Sequence, residues 1–408
     1  MLALGLAALV TLLGCVLRWR RPRPTDNASR LWVLFGAALW IWICVGLPGR
    51  GPIHAPELAS AGLWLLMALA SWLLTEPAWA KLRRAVTVGA LIFVFSQPLL
   101  AALRAPRLSW PPAAPHRSIP ALTVVVLLDE LNANAAGPIA EAMRRTGRPV
   151  FEKALIPAGD GTAKLVPALF TGHDFGQAKP CGWHTICSGG EVLDFGRVQA
   201  SRPDIDVVGF YMPYCAISGL RFCEELSPVQ PYTDLTRWYC AALRRSAWLA
   251  DHGGIAARRR CADQNGRVWS SLAKRVEQAV WRAPAWTNGG LLYVHAPLPH
   301  PPGEGDGTLG DHYRANVAKA ALLIGEMADR LAMQKRSFAL LVFSDHPLRP
   351  SIWCESTQYR AEGCPSDRSL LDDRVPLLIS GDLGPMADEL RTNRNVFQLI
   401  GAASTEGH

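Results

Sequence analysis

The chain has 408 residues, half of them hydrophobic, with a mean hydropathy of +0.11 and a formal net charge of +8. That length accommodates a membrane region plus one substantial globular domain, and the hydrophobic excess is concentrated in residues 1–103. The positive charge does not point to nucleic acid: much of it sits in short loops beside apolar segments, and no stretch interleaves aromatic and basic residues.

In chain order, four charge-free stretches come first: residues 1–17, 31–48, 58–75 and 85–103. Each is close to the roughly 20 residues that a helix needs to cross the hydrocarbon core. The first has no basic leader and no small-residue cleavage site, and Arg18, Arg20 and Arg21 follow it, so it is expected to be retained as a helix. The first loop also carries Arg23 and Arg30, and the third carries Lys81, Arg83 and Arg84, whereas the second has only Arg50. Loops one and three are therefore expected on the cytoplasmic side, placing everything after Leu103 on the periplasmic or extracellular side. Eight cysteines lie beyond the apolar stretches: Cys181, Cys187, Cys215, Cys223, Cys240, Cys261, Cys354 and Cys364. Their even number and close sequential spacing, with no CxxC pair, predict four disulfides in an oxidising compartment, the pairing left open.

Residues 105–120 hold Pro106, Pro111, Pro112, Pro115 and Pro120, which predicts a stiff, extended linker. A soluble domain over 121–408 follows. The apolar, β-branched run at 122–128 reads as a strand buried on both faces, and similar runs lie at 207–211, 291–294, 338–343 and 376–379. Helical patterns at 136–145, 270–281, 312–334 and 385–391 alternate with them. The expected fold class is α/β, a mainly parallel central sheet covered on both faces.

Three of these strands end in groups that can do chemistry. The first ends in Asp129-Glu130, the third in His295 with His300 five residues on, and the fourth in Ser344-Asp345-His346. Ligands of open α/β sheets bind beyond the carboxyl ends of the strands, so these side chains have a common place to meet. Aspartate with histidine suits zinc, and carboxylates also suit manganese or magnesium. Singly, each has a plainer reading: an Asp after a strand caps a helix, and a His in a Pro-rich loop is a loop residue. Asp345-His346 is more telling, because two metal-ligand types at a buried strand end are costly without a partner. A Gly-containing turn at 159–161 feeds a short helix that begins near Thr162, where backbone N–H groups favour an anion; Thr162 as a simple N-cap is the plainer alternative.

Taken in order, these pieces resemble the alkaline phosphatase superfamily, in particular its sulfatase-like, membrane-anchored transferases such as lipid A phosphoethanolamine transferases and lipoteichoic acid synthases. The matching residues are Asp129 at a strand end, Thr162 with Pro167, His295 with His300-Pro-Pro, Asp345-His346, and the segment Asp311 to Asn316 ahead of a long helix. The resemblance implies one divalent metal, zinc first and manganese second, held by Asp129, Thr162, Asp345 and His346. It implies Thr162 as nucleophile through a covalent intermediate, with His300 as acid/base and His295, Lys164 and Asn316 on the substrate. A membrane lipid donor and a lipid or glycan acceptor would be the partners, at the outer face of the cytoplasmic membrane. The sequence departs from the family by having Asp rather than Glu at 129. It also has no histidine soon after His346, and no Cys-x-Pro-x-Arg motif of conventional sulfatases. Hydrolysis of a phosphate or sulfate ester, or a non-catalytic binding domain, are the competing readings.

Overall fold

The computed structural model describes residues 105–112, 121–182, 184–226, 255–354, 370–381 and 387–401, with Ser356, Tyr359 and Leu383 besides. All of these belong to one of the chain's two compact units, residues 96–238 and 255–408. The four apolar stretches, Cys240 and Cys364 lie outside the described residues, as does the side chain of Cys261. Among the described residues, no helix is long and apolar enough to cross a membrane.

The elements run in the order β1 (Leu108–Trp110), β2 (Leu122–Asp129), α1 (Gly137–Arg144), β3 (Val150–Leu155) and α2 (Thr162–Thr171). A small antiparallel sheet follows, β4 (Lys179–Pro180), β5 (Thr185–Ser188) and β6 (Glu191–Asp194), then β7 (Val198–Ala200), β8 (Ile205–Phe210) and β9 (Phe222–Leu226). The chain continues through α3 (Ile255–Arg282), α4 (Ala285–Asn288), β10 (Gly290–Pro299), α5 (Leu309–Ala332), β11 (Phe338–Ser344), α6 (Pro350–Cys354) and β12 (Val375–Gly381). Seven strands form the central sheet in the order β3-β12-β11-β2-β10-β8-β9. The five from β11 to β9 are mutually parallel, and β12 alone runs against its neighbours.

Strand β2 explains why its sequence carries no alternation: all eight residues are buried, because both faces are covered. Val124, Val126 and Leu128 pack with Ile139 of α1, Val276 of α3 and Ile324 of α5. Val125 and Leu127 point the other way, into a layer holding Leu165 and Leu169 of α2 and the aromatic rings of Trp110, Phe170, Tyr293 and Phe397. Helix α5 starts at a capping box, in which the Thr308 hydroxyl accepts from Asp311 N–H and the Asp311 carboxylate accepts from Thr308 N–H. Helix α2 ends at Gly172, whose φ of +73° is the left-handed conformation that glycine adopts without a Cβ clash.

The structure differs from the sequence reading at several elements. Strand β3 was not foreseen, because Val-Phe-Glu-Lys-Ala-Leu is an edge strand with one half-open face and carries charges mid-run. Of the helix expected at 385–391, residues 385 and 386 lie outside the described residues, Ala387 is in 3-10 conformation, and no α-helix runs through 388–391. The backbone there is drawn into pairing with the end of β3: Ile156 N–H donates to Arg391 C=O, and Asn393 N–H to Ile156 C=O. A 3-10 helix, Asn393–Leu399, follows instead. Within the Pro-rich stretch, β1 pairs in parallel with β7, and Trp110 is fully buried against Phe170, so this part of 105–120 packs on the domain. Cysteines pair with their sequence neighbours as Cys181–Cys187 and Cys215–Cys223, and Cys354 is also disulfide-bonded.

Candidate metal centre

Register brings the strand-end groups together. Strands β11, β2 and β10 are adjacent and parallel, with Ser344 opposite Leu128 and His295 opposite Leu127. The next residue on each of the first two strands is Asp345 and Asp129, and Asp345 N–H donates to Leu128 C=O at 3.1 Å. Odd-numbered residues of these strands (Val125, Leu127, Leu291, Tyr293, Leu341 and Phe343) face the layer that contains α2. Asp129, His295 and Asp345 continue that parity, and α2 begins with Thr162. One pleat therefore turns these three side chains to the α2 side of the sheet, and Asp345 meets the start of that helix.

Asp129, Asp345 and His346 each offer a ligand atom within 4.8 Å of the others, and all three are buried. His346 Nε2 lies 3.7 Å from Asp129 Oδ1 and 3.3 Å from Asp345 Oδ2. The Thr162 hydroxyl donates to the same Asp345 Oδ2 at 2.5 Å. The other Asp345 oxygen accepts from Glu130 N–H at 3.0 Å and His346 N–H at 2.7 Å, so the carboxylate is fixed on both sides. Asn393 secures the loop from behind, its Nδ2 donating to Ser344 C=O at 2.9 Å and to Asp345 C=O at 2.8 Å. Burial raises the Asp129 carboxyl well above the usual carboxylate range, and the charges of Asp345 and Glu130 push it the same way. Burial also acts upward on Asp345, yet its carboxyl ends below the ordinary value because His346, the Thr162 hydroxyl and Glu130 N–H favour the anion.

The donor atoms themselves test whether a cation fits. His346 Nδ1 lies 2.9 Å from Pro347 C=O, which can only accept, so Nδ1 is the donor there and Nε2 is the ring atom turned toward the carboxylates. Nε2 faces two carboxylates, and neither it nor Asp129 Oδ1 has a hydrogen-bond partner although both are buried. Buried polar atoms without a partner are costly, and a divalent cation would satisfy both of them at once. A histidine fixed by a backbone carbonyl, with two carboxylates, is a donor set that suits zinc and accepts manganese. Among the described residues, this is the single group of three or more His, Cys, Asp or Glu side chains that could hold a metal.

The remaining foreseen residues are placed differently. The His300 ring stacks on Trp269 at 4.1 Å between centroids and meets the edge of Trp353 at 5.0 Å. Its Nδ1 is buried without a hydrogen-bond partner, and burial lowers its pKa. His295 lies inside β10 rather than beyond it, is fully buried, and bonds the Tyr214 hydroxyl through Nδ1 at 2.9 Å. Burial pulls its pKa down to about 4, so the ring is neutral at pH 7. Lys164 pairs with Asp160 at 2.6 Å. Asn316 is buried, donates to His300 C=O at 3.1 Å and accepts from Lys319, so it positions the His300 loop. Sequence reasoning missed Asn393, Trp269, Trp353 and Arg349. The signal for Arg349 was its place three residues after His346; nothing local marked Asn393.

No family model matches the chain, and no curated protein matches it either. Among solved structures, the chain is similar to the integral membrane lipooligosaccharide phosphoethanolamine transferase A (EptA) from Neisseria meningitidis. That match has 12% identity and a TM-score of 0.39, over 96% of this chain and 79% of that one. It is also similar to the C-terminal periplasmic domain of phosphoethanolamine transferase EptC from Campylobacter jejuni, at 11% identity, TM-score 0.38, 71% of this chain and 90% of that one. A third is the zinc complex of the C-terminal periplasmic domain of EcEptC from Escherichia coli, at 12% identity, TM-score 0.35, 72% and 84%.

Proposed function

We propose that this protein is a metal-dependent transferase of phosphoethanolamine- or phosphoglycerol-type groups, modifying a lipid or glycan at the outer face of the cytoplasmic membrane. The observation that carries this reading is the Thr162 hydroxyl, 2.5 Å from Asp345 Oδ2 at the edge of the Asp129, Asp345 and His346 group. A threonine hydroxyl is a poor nucleophile unless its environment favours the alkoxide. Thr162 is the first residue of a buried ten-residue helix, so the positive end of the helix adds to that effect. A divalent cation held by Asp129, Asp345 and His346, with Thr162 beside them, supplies acidity to a neighbouring hydroxyl and screens the charge of a transferring group.

The chain's own residues divide the work. Asp345, kept anionic, orients Thr162 by accepting its hydrogen bond. Thr162 Oγ1 bonds to phosphorus as the bond from phosphorus to the donor's alcohol oxygen breaks, and the threonine proton ends on that leaving alcohol. The acceptor hydroxyl then displaces Thr162 from phosphorus, and its proton returns to the threonine. We assign the relay of these protons to His300, the acid/base that the sequence motifs suggest. The apolar N-terminal stretches would keep this centre beside its lipid donor.

The test uses the purified full chain with labelled phosphatidylethanolamine or phosphatidylglycerol, with and without acceptor membranes. Expected are a labelled acceptor and, in stopped reactions, label on the peptide bearing Thr162. Label found only as free head group supports hydrolysis instead. Turnover persisting in Thr162→Ala removes the proposed nucleophile, and a chain that binds neither zinc nor manganese leaves the non-catalytic reading.

A further inference from the structure

Beside the metal group lies an ion pair with no explanation in packing alone. Glu130 follows Asp129 directly, its side chain is fully buried, and it holds a left-handed backbone at φ +65°, which is strained for a residue with a Cβ. Its Oε1 lies 4.0 Å from His346 Nδ1. Arg349 reaches the same Oε1 from the loop after His346, with Nε at 2.9 Å and Nη2 at 2.8 Å, while Trp353 Nε1 donates to Oε2 at 2.7 Å. Arg349 Nη1 donates to the carbonyl of Asp160 at 2.8 Å, two residues ahead of Thr162. The approach is close: a Cβ at Gly161 would meet Nη1 at 3.4 Å. The Arg349 side chain keeps 30% of its surface exposed against 0% for Glu130, so the guanidinium lies where this buried region opens to water.

A buried pair of this kind is weak evidence for stability, since apolar groups of similar volume serve a fold as well or better. What the pair does provide is a fixed positive fork, anchored to the residue after Asp129 on one side and to the turn before Thr162 on the other. Guanidinium carries five N–H donors, and the contacts just named use three, leaving one on each terminal nitrogen beyond these bonds. Donors held in the plane of a fixed guanidinium match the oxygens of a phosphoryl group.

We propose that Arg349, locked by Glu130, is the second cationic element of this centre: it binds non-bridging oxygens of the transferring group and orients the turn that presents Thr162. The inference rests on the phosphoryl-transfer reading above. It gives the centre two positive elements although the described residues contain one metal-ligand group.

The experiment compares full-length wild type with Arg349→Gln, Arg349→Lys and Glu130→Gln, measuring bound zinc by mass spectrometry and affinity for inorganic phosphate by calorimetry. Neither readout needs turnover. Arg349→Gln is expected to keep its zinc and bind phosphate about tenfold more weakly or worse, with Arg349→Lys recovering part of the loss. Glu130→Gln, which keeps the geometry and removes the neutralising charge, is expected to bind phosphate more tightly. Arg349→Gln binding phosphate like wild type overturns the proposal, and so does loss of zinc from both Arg349 variants, which would make the residue structural. Should Arg349→Gln fail to fold, Glu130→Gln decides: unchanged or weaker phosphate binding overturns it. Wild type that takes up neither zinc nor phosphate brings down the phosphoryl-transfer reading as well. Zinc and phosphate binding that ignores every Arg349 and Glu130 change brings down this role alone.

Discussion

The two faces of the central sheet are built from the same strands and put to different use. One face is covered by the long helices α3 and α5 with α1, and its contacts are mainly aliphatic, among them Val124, Val126, Ile139, Val276 and Ile324, with Phe210, Trp286 and Tyr313 at intervals. The other is covered by the short helix α2 and a ring cluster that includes Trp110, Phe170, Tyr214, Tyr293 and Phe397. Asp129, Asp345 and the threonine lie at the edge of this second face, and His346 follows Asp345 in the loop beyond the strand. Long helices bury much surface but present only side-chain stripes to the sheet. A short helix that starts at the strand ends instead delivers its first residue and its positive terminus to them. The aliphatic face is therefore expected to carry stability, and the α2 face chemistry.

The sharpest way to break this comparison is Asp345→Ala. It removes a ligand and the hydrogen-bond acceptor of Thr162 together, so bound metal should disappear and turnover fall by about 10^4-fold or more, with the helical content measured by circular dichroism unchanged. Ile324→Ala is the counterpart on the aliphatic face. It should lower unfolding free energy by about 2–5 kcal/mol in denaturant titrations while activity per folded molecule stays at the wild-type level. Activity lost in proportion to stability there would erase the distinction between the faces.

His295 gives the α2 face a pH signature. Its folded pKa is depressed to about 4, so the unfolded chain binds the proton more readily. The stabilisation from keeping the ring neutral is complete above about pH 6.5 and is lost as pH falls toward 4, about 3 kcal/mol over the window by 1.36 kcal/mol per unit. Acid titration of stability in His295→Gln should be flatter between these values; an identical slope would remove the imidazole as its source. A smaller effect is expected at Asn393, which touches no donor atom but holds two carbonyls of the ligand loop. Asn393→Ala should weaken zinc binding about 10- to 100-fold, read by chelator competition, as outer-shell partners of metal ligands do. Least of all, Lys164→Ala should change turnover by less than about threefold, because its ammonium is paired with the exposed Asp160 carboxylate on the helix surface. A large loss at Lys164 would return it to the substrate contacts that the sequence motifs suggested.

How much of this was legible beforehand varies with how local the cause is. Strands β2, β8, β10, β11 and β12 were readable because a run buried on both faces must be apolar without alternation, and helices α1, α3 and α5 because their apolar periodicity is local. Edge strand β3 and the turn at 387–391 were not, since half-exposed backbone takes its conformation from the neighbour it pairs with. In the same way Asp129, Asp345, His346 and Thr162 could be singled out by residue type at an element's end. The stacking of His300 on Trp269 and the capture of Asn316 by the His300 loop could not.

The sequence by itself determined the α/β alternation, the apolar N-terminal stretches, the close cysteine pairs and which polar residues stand at strand ends. Only the tertiary structure decided which of those polar groups converge. Parallel register sets Asp345 beside Asp129, strand pleat turns both toward α2, and Glu130 steps out of that pleat to meet an arginine 219 positions away. Such pairings depend on how separate segments are laid side by side, and no short window of sequence contains both partners.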